Sequence, residues 1–150
     1  GRLIGLMLRQ EENSDQAEVF RYFRESADRG DAWSAYHAAE MMQAGTATEA
    51  EDGEAVRLYG FAVGRNAGTP SQNAREKLVG LPRAKVATEI QKSLVRLGDQ
   101  SVEVDGALGP KTRDAATALL GGPAPNEPAD LLGALLEHEW LESNPRLDML

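Results

Sequence analysis

The sequence predicts an all-α protein, and three observations carry that expectation. Alanine, leucine, glutamate and arginine are abundant while aromatic residues make up only 5% of the 150, a composition suited to short helices stacked through small contact residues. Apolar residues recur at spacings of three and four in several windows, each closed by Gly, Asn or Pro. One stretch also repeats itself at an offset of 36 residues.

The repeat aligns Val19 to Gly30 with Ala55 to Asn66. In each copy a bulky pair (Tyr22-Phe23, Leu58-Tyr59) precedes a small pair (Ser26-Ala27, Ala62-Val63), and Gly30 or Asn66 then ends the helix. Each copy reads as a helix with a large outward face and a small face that lets the next helix approach. Between the copies, Ser34, Ala38, Ala39 and Met42 mark a further amphipathic helix, closed by Gly45. Asp15 with Glu18, and Thr48 with Glu51, have the spacing of capping boxes.

The order A-x-x-x-L-G-x-x-Y-x-x-G, an acidic loop, then K-A-x-x-W-Y-x-x-A-A-x-x-G is that of the Sel1-like repeat, and residues 3–68 resemble it. Ile4-Gly5 and Leu8 stand at its first L-G and Y positions. Ala38-Ala39, Met42 and Gly45 stand at the second set, with Glu54-Ala55, Leu58-Tyr59 and Ala62-Val63 completing it. Ala39 replaces the usual glycine and Met42 the usual tyrosine. The resemblance implies a helical-pair solenoid over 1–80, with Trp33 and Tyr36 as candidate residues for contacting a protein partner.

Gly68-Thr69-Pro70-Ser71 is a loop signal, and Pro82 breaks the short helical stretch that follows. Ala87, Ile90, Leu94 and Leu97 form the apolar face of the next helix, which Gly98 closes. At most a short strand pairing is expected near Val102 and Val104. Asp105-Gly106 is a tight-turn signal, and Gly109-Pro110 reads as a cap followed by proline at the first helical position. Ala115, Ala118 and Leu119 are expected to bury, while Thr112 is expected to face solvent.

Residues 87–120, A-x-x-I-Q-x-x-L-x-x-L-G followed by V-D-G-x-x-G-P-K-T-x-x-A, resemble the peptidoglycan-binding domain of bacterial cell-wall proteins. Ile90-Gln91, Leu94, Leu97-Gly98, Val104-Asp105-Gly106, Gly109-Pro110, Thr112 and Ala115 carry the match. Asp99 stands where the family has an aromatic, and Leu119-Leu120-Gly121-Gly122 stands where it has an aromatic-Gln pair. The resemblance implies a small three-helix module over 81–122 whose turn lines a cleft for the murein stem peptide. Its candidate binding residues are Asp105, Gly106, Gly109, Lys111, Thr112 and Arg113, with Lys111 and Arg113 able to pair with stem carboxylates. Residues 121–128, GGPAPNEP, read as a linker, and the last segment, 123–150, carries the end of it and a C-terminal helix with one apolar face, Leu131, Leu132, Leu135, Leu136 and Trp140, expected to dock on one of the two modules.

Net charge is −8, spread as 7 basic against 12 acidic side chains over 1–68, 8 against 6 over 69–122 and 1 against 6 over 123–150. Nucleic acid is a poor partner for such a surface, because affinity for phosphates rests on Lys and Arg. The chain has no cysteine, so it offers no disulfide, thiolate metal site or cysteine nucleophile. No run of about 18 apolar residues suggests a membrane span. His138 and Glu142 are spaced as two metal ligands but lack an evident third, and no phosphate loop or nucleophile elbow occurs. Neither a cofactor nor catalysis is expected. The reading is a binding or scaffolding region of a bacterial envelope protein, its targeting signal expected upstream of Gly1. The alternative is a cytoplasmic regulatory or adaptor region of a larger enzyme, with a wall-binding fold that binds no wall.

Overall fold

A computed structural model describes residues 16–44 and 52–144. These residues form seven helices and no strand: α1 over 16–28, α2 Ala32–Ala44, α3 Asp52–Gly64, α4 Thr69–Val79, α5 Arg83–Arg96, α6 Pro110–Leu120 and α7 Pro128–Ser143. The all-α expectation therefore holds among the described residues. Ile4, Gly5, Leu8, Asp15, Gly45, Thr48 and Glu51 lie outside them.

The helices stop where the chain chemistry tells them to. α1 ends just before Gly30, α5 just before Gly98, and Pro82 stands at the N-cap of α5, where its missing N–H costs no helical bond. Gly109 caps α6 with Pro110 in its first turn. α1 ends at 28 and α3 at Gly64, 36 residues apart, so the sequence offset is also an offset of helices. The two copies differ in their surroundings. Tyr22 is 62% exposed, whereas its counterpart Leu58 is half-buried and the neighbouring Tyr59 is wholly buried, donating to Gln43 Oε1 at 2.8 Å rather than facing outward.

One connected hydrophobic core runs from Ala27 to Leu136. In α2, Ser34, Ala38, Ala39 and Met42 are all buried, and in α5 so are Ala87, Ile90 and Leu94. Leu131, Leu132, Leu135 and Leu136 put the apolar face of α7 into this core, with Trp140 half-buried at its far end. In α6 the buried positions are Thr112 and Ala116, while Ala118 is exposed. The stripe is thus rotated from the expected Ala115, Ala118 and Leu119, because Thr112 is drawn inward by a hydrogen bond described below.

The docking of α7 organises the rest. It packs most extensively on α3, and next on α5, so it joins both segments of the chain rather than one. Its contact with α3 is unusually close: a Cβ placed on Gly64 would lie 2.1 Å from the Gly133 carbonyl oxygen, and one on Gly60 would lie 2.6 Å from Leu132 Cγ. Only hydrogen side chains fit at that crossing. Polar clamps then line the seam from end to end. Arg75 of α4 holds Asp130 through two bonds of 2.9 and 3.2 Å, and Arg65 holds Glu137 at 2.9 Å. Ser93 and Arg96 of α5 both donate to Glu139, and Trp140 Nε1 donates to the Asp28 carbonyl at 2.8 Å with the Arg65 guanidinium over its ring.

The glycine crossing yields a test in which the sign matters. In an isolated helix, Gly→Ala stabilises by about 1 kcal/mol, but Gly64→Ala forces α3 and α7 apart and should lower stability by about 2 kcal/mol. Gly122→Ala, with open space around it, should leave the unfolding midpoint near that of the parent. Denaturant melts of the two variants check this, and a stabilised Gly64→Ala protein would rule out the crossing.

Candidate functional site

The six residues singled out around the Asp105-Gly106 turn converge only in part, and the side chain that draws them together is Gln91. It sits on the inner face of α5, 1% exposed, one residue past Ile90. Its Oε1 accepts from the backbone N–H of Asp105 at 3.0 Å and of Gly106 at 2.9 Å. Its Nε2 donates to Asp105 Oδ1 and to the Ala107 carbonyl, both at 2.8 Å, and approaches Thr112 Oγ1 at 3.4 Å. A buried primary amide has two donors and two lone pairs, and this one has partners for all of them.

The consequences reach each predicted residue. Asp105 turns its carboxylate back onto its own loop, accepting from the Ala107 N–H at 3.0 Å as well as from Gln91. Those two bonds, the Ala107 amide first, hold the Asp105 carboxyl below its ordinary value of 3.8. Gly106 has φ +76°, where a side chain is strained, and a Cβ there would also press on Thr88 Oγ1 at 3.3 Å. Thr112 is buried against Gln91 instead of facing solvent. Gly109 is extended, in a conformation any residue adopts, and serves as the α6 cap. Arg113 donates to the Asn126 carbonyl at 3.2 Å, pinning the segment that leads into α7. Lys111 is exposed and makes no hydrogen bond or ion pair among the described residues.

Gln91 lies within residues 87–120 but outside the predicted site. A polar residue inside an apolar stripe was the available signal, since a buried amide needs partners and the nearest polar loop supplies them.

Trp33 and Tyr36 lie in a second cluster, built by α1 and α2. Trp33 is 42% exposed and stacks on His37, with ring centres 5.4 Å apart and planes 14° from parallel. Phe23 meets the other members through His37 at 5.1 Å, and Tyr22 extends the chain of rings from Phe23 at 5.9 Å. Tyr36 touches Trp33 and His37 on the surface side and Tyr59 on the core side, at 5.8 Å, so the surface rings stand on a buried one. Burial, with the nearby Glu40 charge adding to it, raises the Tyr36 hydroxyl above its ordinary pKa, and the same causes raise Tyr59 further. His37 Nδ1 lies 3.4 Å from Glu40 Oε1.

Among the described residues no group of three or more His, Cys, Asp or Glu side chains could hold a metal ion, and His138 pairs with Glu142 alone at 3.1 Å. No described helix is long and apolar enough to cross a membrane. No family model, curated protein or solved structure matches this chain.

Two outcomes test the turn. Gln91→Leu, which leaves the Asp105 and Gly106 amides without an acceptor, should cost about 1–3 kcal/mol, with faster exchange of those two amides seen by NMR. In the parent, the Asp105 carboxyl should titrate below 3.8. Because its folded pKa is depressed, its contribution to stability is present above the ordinary value and is lost as pH falls through the folded one. A carbon-detected titration with its midpoint at or above the ordinary value would show that the loop bonds are absent.

Proposed function

We propose that this protein is a non-catalytic binding module whose principal surface is the ring cluster of α1 and α2. The observation that carries this reading is the continuous run of rings from Tyr22 to Tyr36, with Trp33 and Tyr22 open to solvent while Tyr36 is anchored on buried Tyr59. Tyr and Trp offer large rigid contact area at small entropic cost, and such residues dominate binding energy at protein interfaces. An exposed run of this kind marks a contact surface.

Charge gives the partner its chemistry. Residues 16–44 carry five acidic against three basic side chains, and one of the three, Arg24, is already paired with Glu54. A net negative α1–α2 segment that carries exposed rings suits a protein segment presenting Lys or Arg, through cation–π contact and ion pairing together.

A second reading rests on a different observation: Asp105, on the turn held by Gln91, and Lys111, in the first turn of α6 that follows it, are both exposed. In it the turn contacts the peptide stem of peptidoglycan in the cell envelope, with Lys111 facing a stem carboxylate, and the ring cluster holds a protein at the wall. If the turn binds no wall, the adaptor reading stands, in which the ring cluster serves a larger enzyme.

Placing a photo-crosslinking residue at Trp33 in living cells, with Gln72 on α4 as an exposed control, tests the first reading. A partner captured at Trp33 and not at Gln72, whose purified form binds the parent at least about tenfold more tightly than Trp33→Ser, is the expected result. Equal capture at both positions, or unchanged affinity, would remove the ring cluster from the function. Co-sedimentation with purified peptidoglycan tests the second: retention that falls with salt and on Lys111→Ala supports it, and protein wholly in the supernatant at low ionic strength contradicts it.

A further inference from the structure

A cavity of about 260 Å³ opens where α1, α3, α5 and α7 meet, distinct from both the ring cluster and the Gln91 turn. Leu58, Phe61, Leu136 and Trp140 form its apolar wall. Three arginines reach it, and two of them are already engaged. Arg24 pairs with Glu54, and Arg96 grips Glu139 with bonds of 2.7 and 3.0 Å.

Arg57 is different. Its ion pair is looser: Nε faces Glu89 Oε1 at 3.6 Å, too long for a hydrogen bond. That Nε is buried and has no hydrogen-bond partner among the described residues. Glu89, 3% exposed, is also drawn to Lys92 at 3.3 Å, so its charge is shared. A guanidinium carries five donors and cannot shed its proton, and leaving a buried donor unmet is costly. Nε itself is closed off, but the Arg57 side chain is still 38% exposed at the cavity, so an incoming group can meet the guanidinium through its remaining nitrogens.

The lining limits what that group can be. A carboxylate matches the planar fork of a guanidinium, and the aromatic and aliphatic wall calls for an apolar body behind it. Asp28, Glu54 and Glu139 stand around the same space, so a second negative charge would be repelled. The volume lies just below that of ordinary ligand sites, which run about 300–1,000 Å³, so only a small guest fits. We infer that this cavity binds a small organic monocarboxylate, its carboxylate on Arg57 and its aliphatic or aryl body against Phe61, Leu136 and Trp140.

The test titrates the isotope-labelled full chain with sodium 4-phenylbutyrate and, separately, with the neutral 4-phenylbutan-1-ol. The Trp140 indole N–H and Arg57 Nε–H signals are followed by NMR. The acid should shift both signals saturably and bind about tenfold or more tightly than the alcohol, the worth of a charge-assisted contact. Arg57→Gln, checked as folded by circular dichroism, should erase that preference, and Arg57→Lys should keep part of it. The inference is overturned if millimolar acid leaves both parent signals unmoved, if the alcohol binds as tightly as the acid, or if inorganic phosphate displaces the acid. Should Arg57→Gln fail to fold, the comparison of acid with alcohol on the parent protein decides alone.

Discussion

The passage of Gly64 past Gly133 is the contact on which the remaining architecture depends. A carbonyl oxygen of α7 occupies the place a side chain on α3 would take, and that sets the distance between the two helix axes. At that separation Leu132 and Leu136 settle over Gly60 and fill the core. The seam then lies close enough for Arg65 to reach Glu137 and for Trp140 to reach the Asp28 carbonyl. Such clamps are individually modest in water-exposed positions. They fix the register of a contact whose driving force is the burial of four leucines.

Because α7 lies against α3 and α5 together, it determines what is left open elsewhere. The cavity beside Arg57 exists where the α7 residues Leu136 and Trp140 close over α1 and α3 without filling the space between them. The ring cluster on α1 and α2 is built on Tyr59, itself fixed in α3. The Gln91 turn hangs from α5, whose Ser93 and Arg96 are tied to α7 through Glu139. Three separate surfaces are therefore tied to α7 or to the helices it packs on. Side chains on these surfaces are held with their orienting bonds already made.

Much of this was legible in the sequence, for identifiable reasons. Local signals act within a turn or two, so Gly30, Pro82, Gly98 and Gly109-Pro110 marked helix ends wherever they occur, and the leucines of α7 announced a buried face. Long-range contacts left weaker traces. Gly60 and Gly64 align with Arg24 and Asp28 of the first copy, and that loss of side chains four residues apart is where the repeat yields to α7. Helix spacing alone could not reveal which partner needed the room. Thr112 and Ala118 were placed on the wrong faces of α6 because periodicity ranks residues by polarity, whereas Gln91 supplies a buried partner that brings a threonine inward. Trp33, a candidate partner contact, is 42% exposed, yet its stacking on His37 followed from no spacing rule.

Amide hydrogen exchange on the intact chain bears most directly on the claim that the α3–α7 seam holds the molecule together. If it does, amides of α3 and α7 exchange only through a shared opening. They should be the slowest in the protein, with matching opening free energies and a matching response to low denaturant. Protection of α3 beside an α7 that exchanges as a loosely attached segment would contradict it.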